Sequence, residues 1–123
     1  MKKTEKIKIK ETILDASGRT LGRIASEIAT ILSGKNKASY QRNAYSGTPV
    51  KIINASKMRI TEEKLKEIIH KRYSGYPGGL KLVSGTEVAL KKGFGELIRH
   101  AVYKMLPGNK LRREMMKNLK IEN

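Results

Sequence analysis

The apolar side chains Leu21, Ile24, Ala25, Ile28, Ile31 and Leu32 recur at i, i+3, i+4, i+7, i+10 and i+11, which places them together on one face of a helix. Thr20 stands at an N-cap position before this run, and Gly34 at a C′ stop after it. Extended segments flank the helix. Ile7, Ile9 and Ile13 alternate in a stretch ending at Leu14-Asp15, which reads as a strand closed by the turn Ala16-Ser17-Gly18. The short apolar run Val50-Lys51-Ile52-Ile53-Asn54, after Gly47 and Pro49, predicts a buried strand. Strand, helix and strand at this spacing make a βαβ unit, so the two strands should run parallel with a right-handed crossover. That requirement places the chain in the α/β class.

The rest of the chain is more helical. Thr61 to Tyr73 has helical propensity and a Thr cap, although Ile68-Ile69 would equally suit a strand. Tyr76-Pro77-Gly78-Gly79 reads as a turn, followed by the alternating Leu80-Lys81-Leu82. Ser84 and Glu87 form a capping-box pattern that opens a short helix ended by Gly93. Phe94, Leu97, Ile98, Ala101, Val102, Met105 and Leu106 again follow helical spacing up to Pro107-Gly108. Asn109 can cap a last helix with Leu111, Met115 and Leu119 on one face. No internal repeat or linker interrupts this order, so residues 1–123 are expected to form one domain. Residues 1–11 are read as a basic extension or first-strand lead-in, and 107–123 as a basic C-terminal helix.

Composition narrows the partner. Among 123 residues, 27 Lys and Arg oppose 11 Asp and Glu, a net charge of +16. The excess is spread throughout: residues 1–11 carry five cations against two acids, 12–56 six against two, 57–100 ten against five, and 101–123 six against two. Self-repulsion on this scale destabilises a compact chain unless a polyanion neutralises it. A membrane surface would favour a single polybasic segment beside one amphipathic helix, whereas an even spread favours nucleic acid on several sides. No apolar run approaches the roughly 18 residues that span a bilayer. Met1 to Lys10 lacks the apolar core of a secretory signal. With no cysteine, disulfides and thiolate chemistry are excluded, and two distant histidines leave little for zinc. The chain is expected to be soluble and cytoplasmic.

Three stretches can carry binding. Asp15 to Arg23 sits between strand and helix, where backbone N–H groups attract phosphate and Arg19 and Arg23 would add charge-assisted bonds. Gly18 and Gly22 give GxxxG rather than GxGxxG, so a tight turn at Gly18 and close helix–sheet packing at Gly22 explain them as well. Glu27 is a candidate partner for Arg23. After the helix, Lys35 and Lys37 lie where its dipole favours cations in any case. Tyr40, Gln41, Arg42 and Tyr45 follow, and aromatics interleaved with basic groups can stack on unpaired bases while neutralising phosphates. In Arg72 to Lys81, Pro77 suits turn position i+1 and Gly78 the positive φ of i+2. Glycines there let backbone approach a sugar–phosphate surface, with Arg72, Tyr76 and Lys81 around them; an ordinary hairpin turn is the plainer reading, and both can hold.

Catalysis is poorly supported. Asp15 is the only Asp, and no Ser/His/acid or Cys/His set exists. His70 and His100 read as surface or half-buried residues, and Met58, Met105, Met115 and Met116 as core filler. A nucleotide-binding α/β enzyme using the loop at Gly18 is the rival reading, weakened by the missing Walker pattern. An RNA-binding regulator of a messenger RNA would need no different residues.

Leu14-Asp15-Ala16 with Leu21-Gly22-Arg23-Ile24-Ala25-Ser26, then Ile53-Asn54-Ala55, Ser74 to Lys81, and Met105-Leu106-Pro107 with Asn109-Lys110-Leu111 form an ordered series. In order and spacing, from about residue 13 to 121, the series resembles the bacterial-type large-subunit ribosomal protein L-thirteen (uL-thirteen) family. The resemblance implies a three-layer α/β/α domain around a mainly parallel four-stranded sheet, with a helical C-terminal region and extended structure near Lys66–Tyr73. It also implies a non-catalytic structural constituent of the large ribosomal subunit that binds its RNA early in assembly. The implied partners are large-subunit ribosomal RNA and neighbouring large-subunit proteins, with no membrane, small-molecule substrate, cofactor, metal or obligate homo-oligomer. The candidate RNA-binding set is Arg19, Arg23, Lys35, Lys37, Tyr40, Arg42, Arg72, Tyr76, Gly78, Gly79 and Lys81, with Lys104, Lys110, Arg112 and Arg113 towards the C-terminus. The chain departs from the family pattern at Glu11-Thr12, where a Trp-Tyr pair is usual, and at Tyr45-Ser46-Gly47-Thr48, where an acidic element is usual. It also stops at Asn123, before the longer tail of many members.

Overall fold

A computed structural model describes residues 10–44 and 48–123, so Ile7, Ile9 and Tyr45 lie outside the described residues. The strand β1 (Thr12–Asp15) leads through the Gly18 turn into helix α1 (Leu21–Ser33), and the chain returns as β2 (Val50–Ile53). β1 and β2 are parallel, with Leu14 opposite Ile52, as the βαβ spacing predicts. Ile24, Ala25, Ile28, Ile31 and Leu32 of α1 are buried, so the helical repeat does bury one face. Thr20 holds the N-cap position without a side-chain cap bond. At the other end Gly34 adopts φ +81°, and the N–H groups of Gly34 and Lys35 donate back to Ile31 and Thr30.

A single 3-10 turn (Ala55–Lys57) follows β2. The ambiguous segment then divides between the two readings: α2 (Glu62–Glu67) starts on Thr61, whose side chain accepts from the Lys64 N–H, and β3 (Ile69–Tyr73) is extended. β3 pairs antiparallel with β4 (Leu80–Ser84). Ser84 caps α3 (Gly85–Lys92) by accepting from the Glu87 N–H, and Gly93 separates α3 from α4 (Phe94–Met105). Asn109 accepts from the Leu111 N–H at 3.1 Å at the start of α5 (Leu111–Lys117).

The C-terminal expectation needs correction. The last helix ends at Lys117, and β5 (Leu119–Ile121) runs parallel to β2 with Leu119 beside Val50. Leu119 is buried there, and this burial outweighs the helical spacing that links it to Leu111 and Met115.

The parallel sheet has the order β1-β2-β5, and β3-β4 is a separate antiparallel pair. The chain is thus mixed α/β, with three parallel strands rather than four among the described residues. Val50, Ile52 and Leu119 are buried on one side of the sheet, against a core of Ile24, Ile28, Leu32, Ile98 and Val102. The alternate row, Ile13, Lys51 and Lys120, is more open, and its two lysines pair with Glu122 at 2.8 Å and Glu11 at 3.6 Å. The Glu122 carboxylate raises the Lys51 pKa. α1 packs against α4, α4 against α3, and α3 against α2. Met58 and Met115 fill core positions as expected, whereas Met105 is about half exposed.

Candidate nucleic-acid interface

Between β1 and α1 the chain is held by its own polar groups. The Asp15 carboxylate accepts from the Ser17 N–H at 2.9 Å and from the Asn54 amide at 3.2 Å, and these bonds lower its pKa below the usual 3.8. Asn54 holds a left-handed backbone, φ +56°. Glu27 pairs with Arg19, not with Arg23. Arg23 is exposed and has no ion-pair partner among the described residues. Gly18 does need its positive φ of +70°, but a Cβ on Gly22 would meet nothing within 4 Å. Close helix–sheet packing is therefore not the reason for Gly22.

After α1 the backbone makes successive turns, Lys37 N–H to Gly34 and Tyr40 N–H to Lys37. They present Lys35, Tyr40 and Arg42 to solvent, while Lys37 Nζ donates to the buried Thr48 hydroxyl at 2.7 Å.

The β3–β4 hairpin turns at Tyr76–Gly79, where the Gly79 N–H donates to the Tyr76 carbonyl at 2.9 Å and Gly78 has φ +75°. Pro77 and Gly78 thus hold the turn positions expected of them. Gly79 is crowded from within: a Cβ would lie 1.9 Å from Ser74 Oγ and 3.0 Å from the Tyr76 carbonyl oxygen. Its lack of a side chain therefore has a cause inside the hairpin. Arg72 stands directly opposite Lys81, and neither has an ion-pair partner among the described residues. On the other face, Tyr73, Leu80 and Leu82 are 66%, 56% and 58% exposed.

The hairpin meets the helical body at a ring contact, with the His70 and His100 centroids 4.2 Å apart. Burial lowers the His70 pKa first, helped by His100 and Lys104 and opposed by Glu96. The Lys104 charge is thus close enough to act on His70 of β3. Lys110, Arg112 and Arg113 instead gather along a groove between α4 and α5, with Arg99, Tyr103 and Lys117. The Arg112 guanidinium lies 3.9 Å from the Tyr103 ring centroid and donates to its hydroxyl at 2.7 Å.

The candidate residues thus lie at the start of α1, in the loop after it, on the hairpin and along the α4–α5 groove, the last two meeting at His100, which lines the groove and touches His70. Sequence reasoning missed Arg99, Tyr103 and Lys117. The available signal was a tyrosine among cations either side of Pro107-Gly108, but its meaning depends on how two helices meet. Among the described residues no cluster of His, Asp and Glu could hold a metal, and no helix is long and apolar enough to cross a membrane.

Residues 9–121 match the family described as Ribosomal protein L13. The chain is 45% identical over 121 residues to the large ribosomal subunit protein uL13 of a Thermoanaerobacter species, covering 98% of this chain and 84% of that one. It is 46% identical over 109 residues to the protein of that name from Treponema pallidum subsp. pallidum, covering 89% and 76%. The corresponding protein of Thermus thermophilus is 44% identical over 109 residues, covering 89% and 77%.

Proposed function

The chain belongs to the ribosomal protein L13 family, and from that premise we propose that it binds large-subunit ribosomal RNA and acts early in assembly of that subunit. The family is one of structural ribosomal constituents rather than enzymes, so its place is the ribosome, which is cytoplasmic in bacteria. Neighbouring large-subunit proteins are the other proposed partners. We also propose one domain over residues 1–123, completed by a fourth strand and a third layer.

The cross-strand pair Arg72 and Lys81 carries the RNA reading. Like charges directly opposite on a ladder cost stability in the free protein, and these two lack an acidic partner among the described residues. A phosphate beside both would turn that repulsion into two charge-assisted hydrogen bonds. The exposed Tyr76, with the backbone at Gly78 and Gly79, extends the same contact. Arg23, Lys35, Tyr40, Arg42, Lys104, Lys110, Arg112 and Arg113 supply the remaining contacts. Arg19 and Lys37, held by Glu27 and Thr48, pin the two loops that face the RNA.

Gradient sedimentation of a tagged copy tests the assignment. The protein should travel in the large-subunit peak and in its assembly precursors. Absence from both would overturn the reading.

A further inference from the structure

Tyr103 is 45% exposed and lines the groove between α4 and α5. Arg112 holds it twice, by its guanidinium over the ring and by its hydrogen bond to the hydroxyl. The double contact joins two long side chains, from helices on either side of Pro107-Gly108, as one aromatic and cationic platform. The platform stands in a groove of about 1000 Å³, at the upper end of the roughly 300–1,000 Å³ typical of small-molecule pockets. Arg99, Lys110, Arg113 and Lys117 also line it; Arg99 pairs with Glu96 at 3.8 Å, and Lys117 pairs with the one lining acid, Glu114, at 3.3 Å.

We propose that the α4–α5 groove receives an unpaired RNA base, stacked on the Tyr103–Arg112 platform, with its flanking phosphates held by Lys110, Arg113 and Arg99. The inference rests on the RNA-binding reading above and adds to it the kind of RNA the groove takes. Cations alone would suit any polyanion. The planar Tyr103 ring, held by the Arg112 guanidinium, suits a π-face, which a paired RNA helix keeps inside its own stack and an unpaired nucleotide exposes. An acidic protein segment offers the charge without the flat face.

The test measures binding of the full-length protein to three probes of equal charge: a single-stranded oligoadenylate, a blunt RNA duplex and a polyglutamate peptide. Tyr103→Ala should weaken oligoadenylate binding roughly 5- to 100-fold, the range for losing one base–aromatic stack. Duplex binding should stay within about 2-fold, with the same salt slope, because no phosphate contact is removed. Tyr103→Phe keeps the ring and loses only the hydroxyl bond to Arg112, so it should retain most of the oligoadenylate binding that Tyr103→Ala loses. Arg112→Lys keeps the charge but loses the plane, and should weaken oligoadenylate selectively. The melting temperature of each free variant controls for folding. Equal losses for oligoadenylate and duplex, or no loss for either, would overturn the proposal. Polyglutamate binding as tight as oligoadenylate, with the same sensitivity to Tyr103→Ala, would overturn it in favour of an acidic protein segment. A wild-type protein that bound neither RNA would sink the RNA-binding reading itself, and this proposal with it.

Discussion

Gly85 and Gly22 show how differently two glycines in helices can be used. A Cβ on Gly85 would lie 2.7 Å from the Leu65 carbonyl oxygen and 2.9 Å from Ile68 Cβ, so α3 can approach the end of α2 only without a side chain. Gly85→Ala should destabilise the protein by about 1–3 kcal/mol in urea unfolding, as overpacking of a close contact does. Gly22, with open space around its Cβ position, gains only backbone freedom in the unfolded chain. Gly22→Ala should raise stability, by up to about 1 kcal/mol in the same assay. Neither behaviour was legible in the sequence. Gly85 carries no local signal, and the GxxxG spacing made Gly22 look like a packing glycine. By contrast, Gly78 follows Pro77 and its positive φ is a property of that dipeptide, so it could be read directly.

The β3–β4 hairpin should respond to pH where it rests on α4. His70 has its pKa lowered from 6.5, first by burial, then by His100 and Lys104, so the folded protein resists a proton that the unfolded chain accepts. The stability His70 contributes is therefore complete above about pH 6.5 and is lost as pH falls from there to the lowered folded value. Thermal unfolding followed from about pH 7.5 to 5.5 should show this fall, above the range where carboxylates titrate. His70→Gln should flatten it. The same hairpin carries a second expectation. Lys81→Ala should leave the melting temperature of the free protein unchanged or raise it, since a cross-strand repulsion worth roughly 0.2–1 kcal/mol is removed. It should nonetheless weaken RNA binding and reduce the salt slope by about one unit or less. At this scale sequence reasoning was half successful. Thr61 marked a helix start correctly, but propensity does not show that the helix stops at Glu67, because β4 supplies the pairing that draws Ile69 to Tyr73 into a strand.

Across the whole molecule, the +16 charge should govern binding. The logarithm of the RNA affinity should fall linearly with the logarithm of salt, by roughly 0.7–0.9 per phosphate contacted. Titration of labelled RNA at several salt concentrations measures that slope, and an affinity independent of salt would remove phosphate neutralisation as the mechanism. The dispersion of the charge along the sequence carries over to the fold, where the candidate cations stand on several different elements. Arg23, Arg42, Lys81 and Arg113 stand on α1, the loop after it, β4 and α5, so several single substitutions should each weaken binding modestly rather than one abolishing it.

Charge, the α1 repeat, the cap at Ser84, the Asn109 contact and the Pro77-Gly78 turn are all properties of neighbouring residues. Periodicity and dihedral preference therefore determined them without reference to the rest of the chain. The series of short motifs likewise carried the family. Tertiary structure alone decided that Leu119 to Ile121 would be a strand, that Glu27 would take Arg19, that His70 would meet His100, and that Arg112 would lie over Tyr103. Each of these depends on which distant side chain arrives beside it. Burial against β2 or contact across a helix pair outweighs local preferences worth less than about 1 kcal/mol per residue.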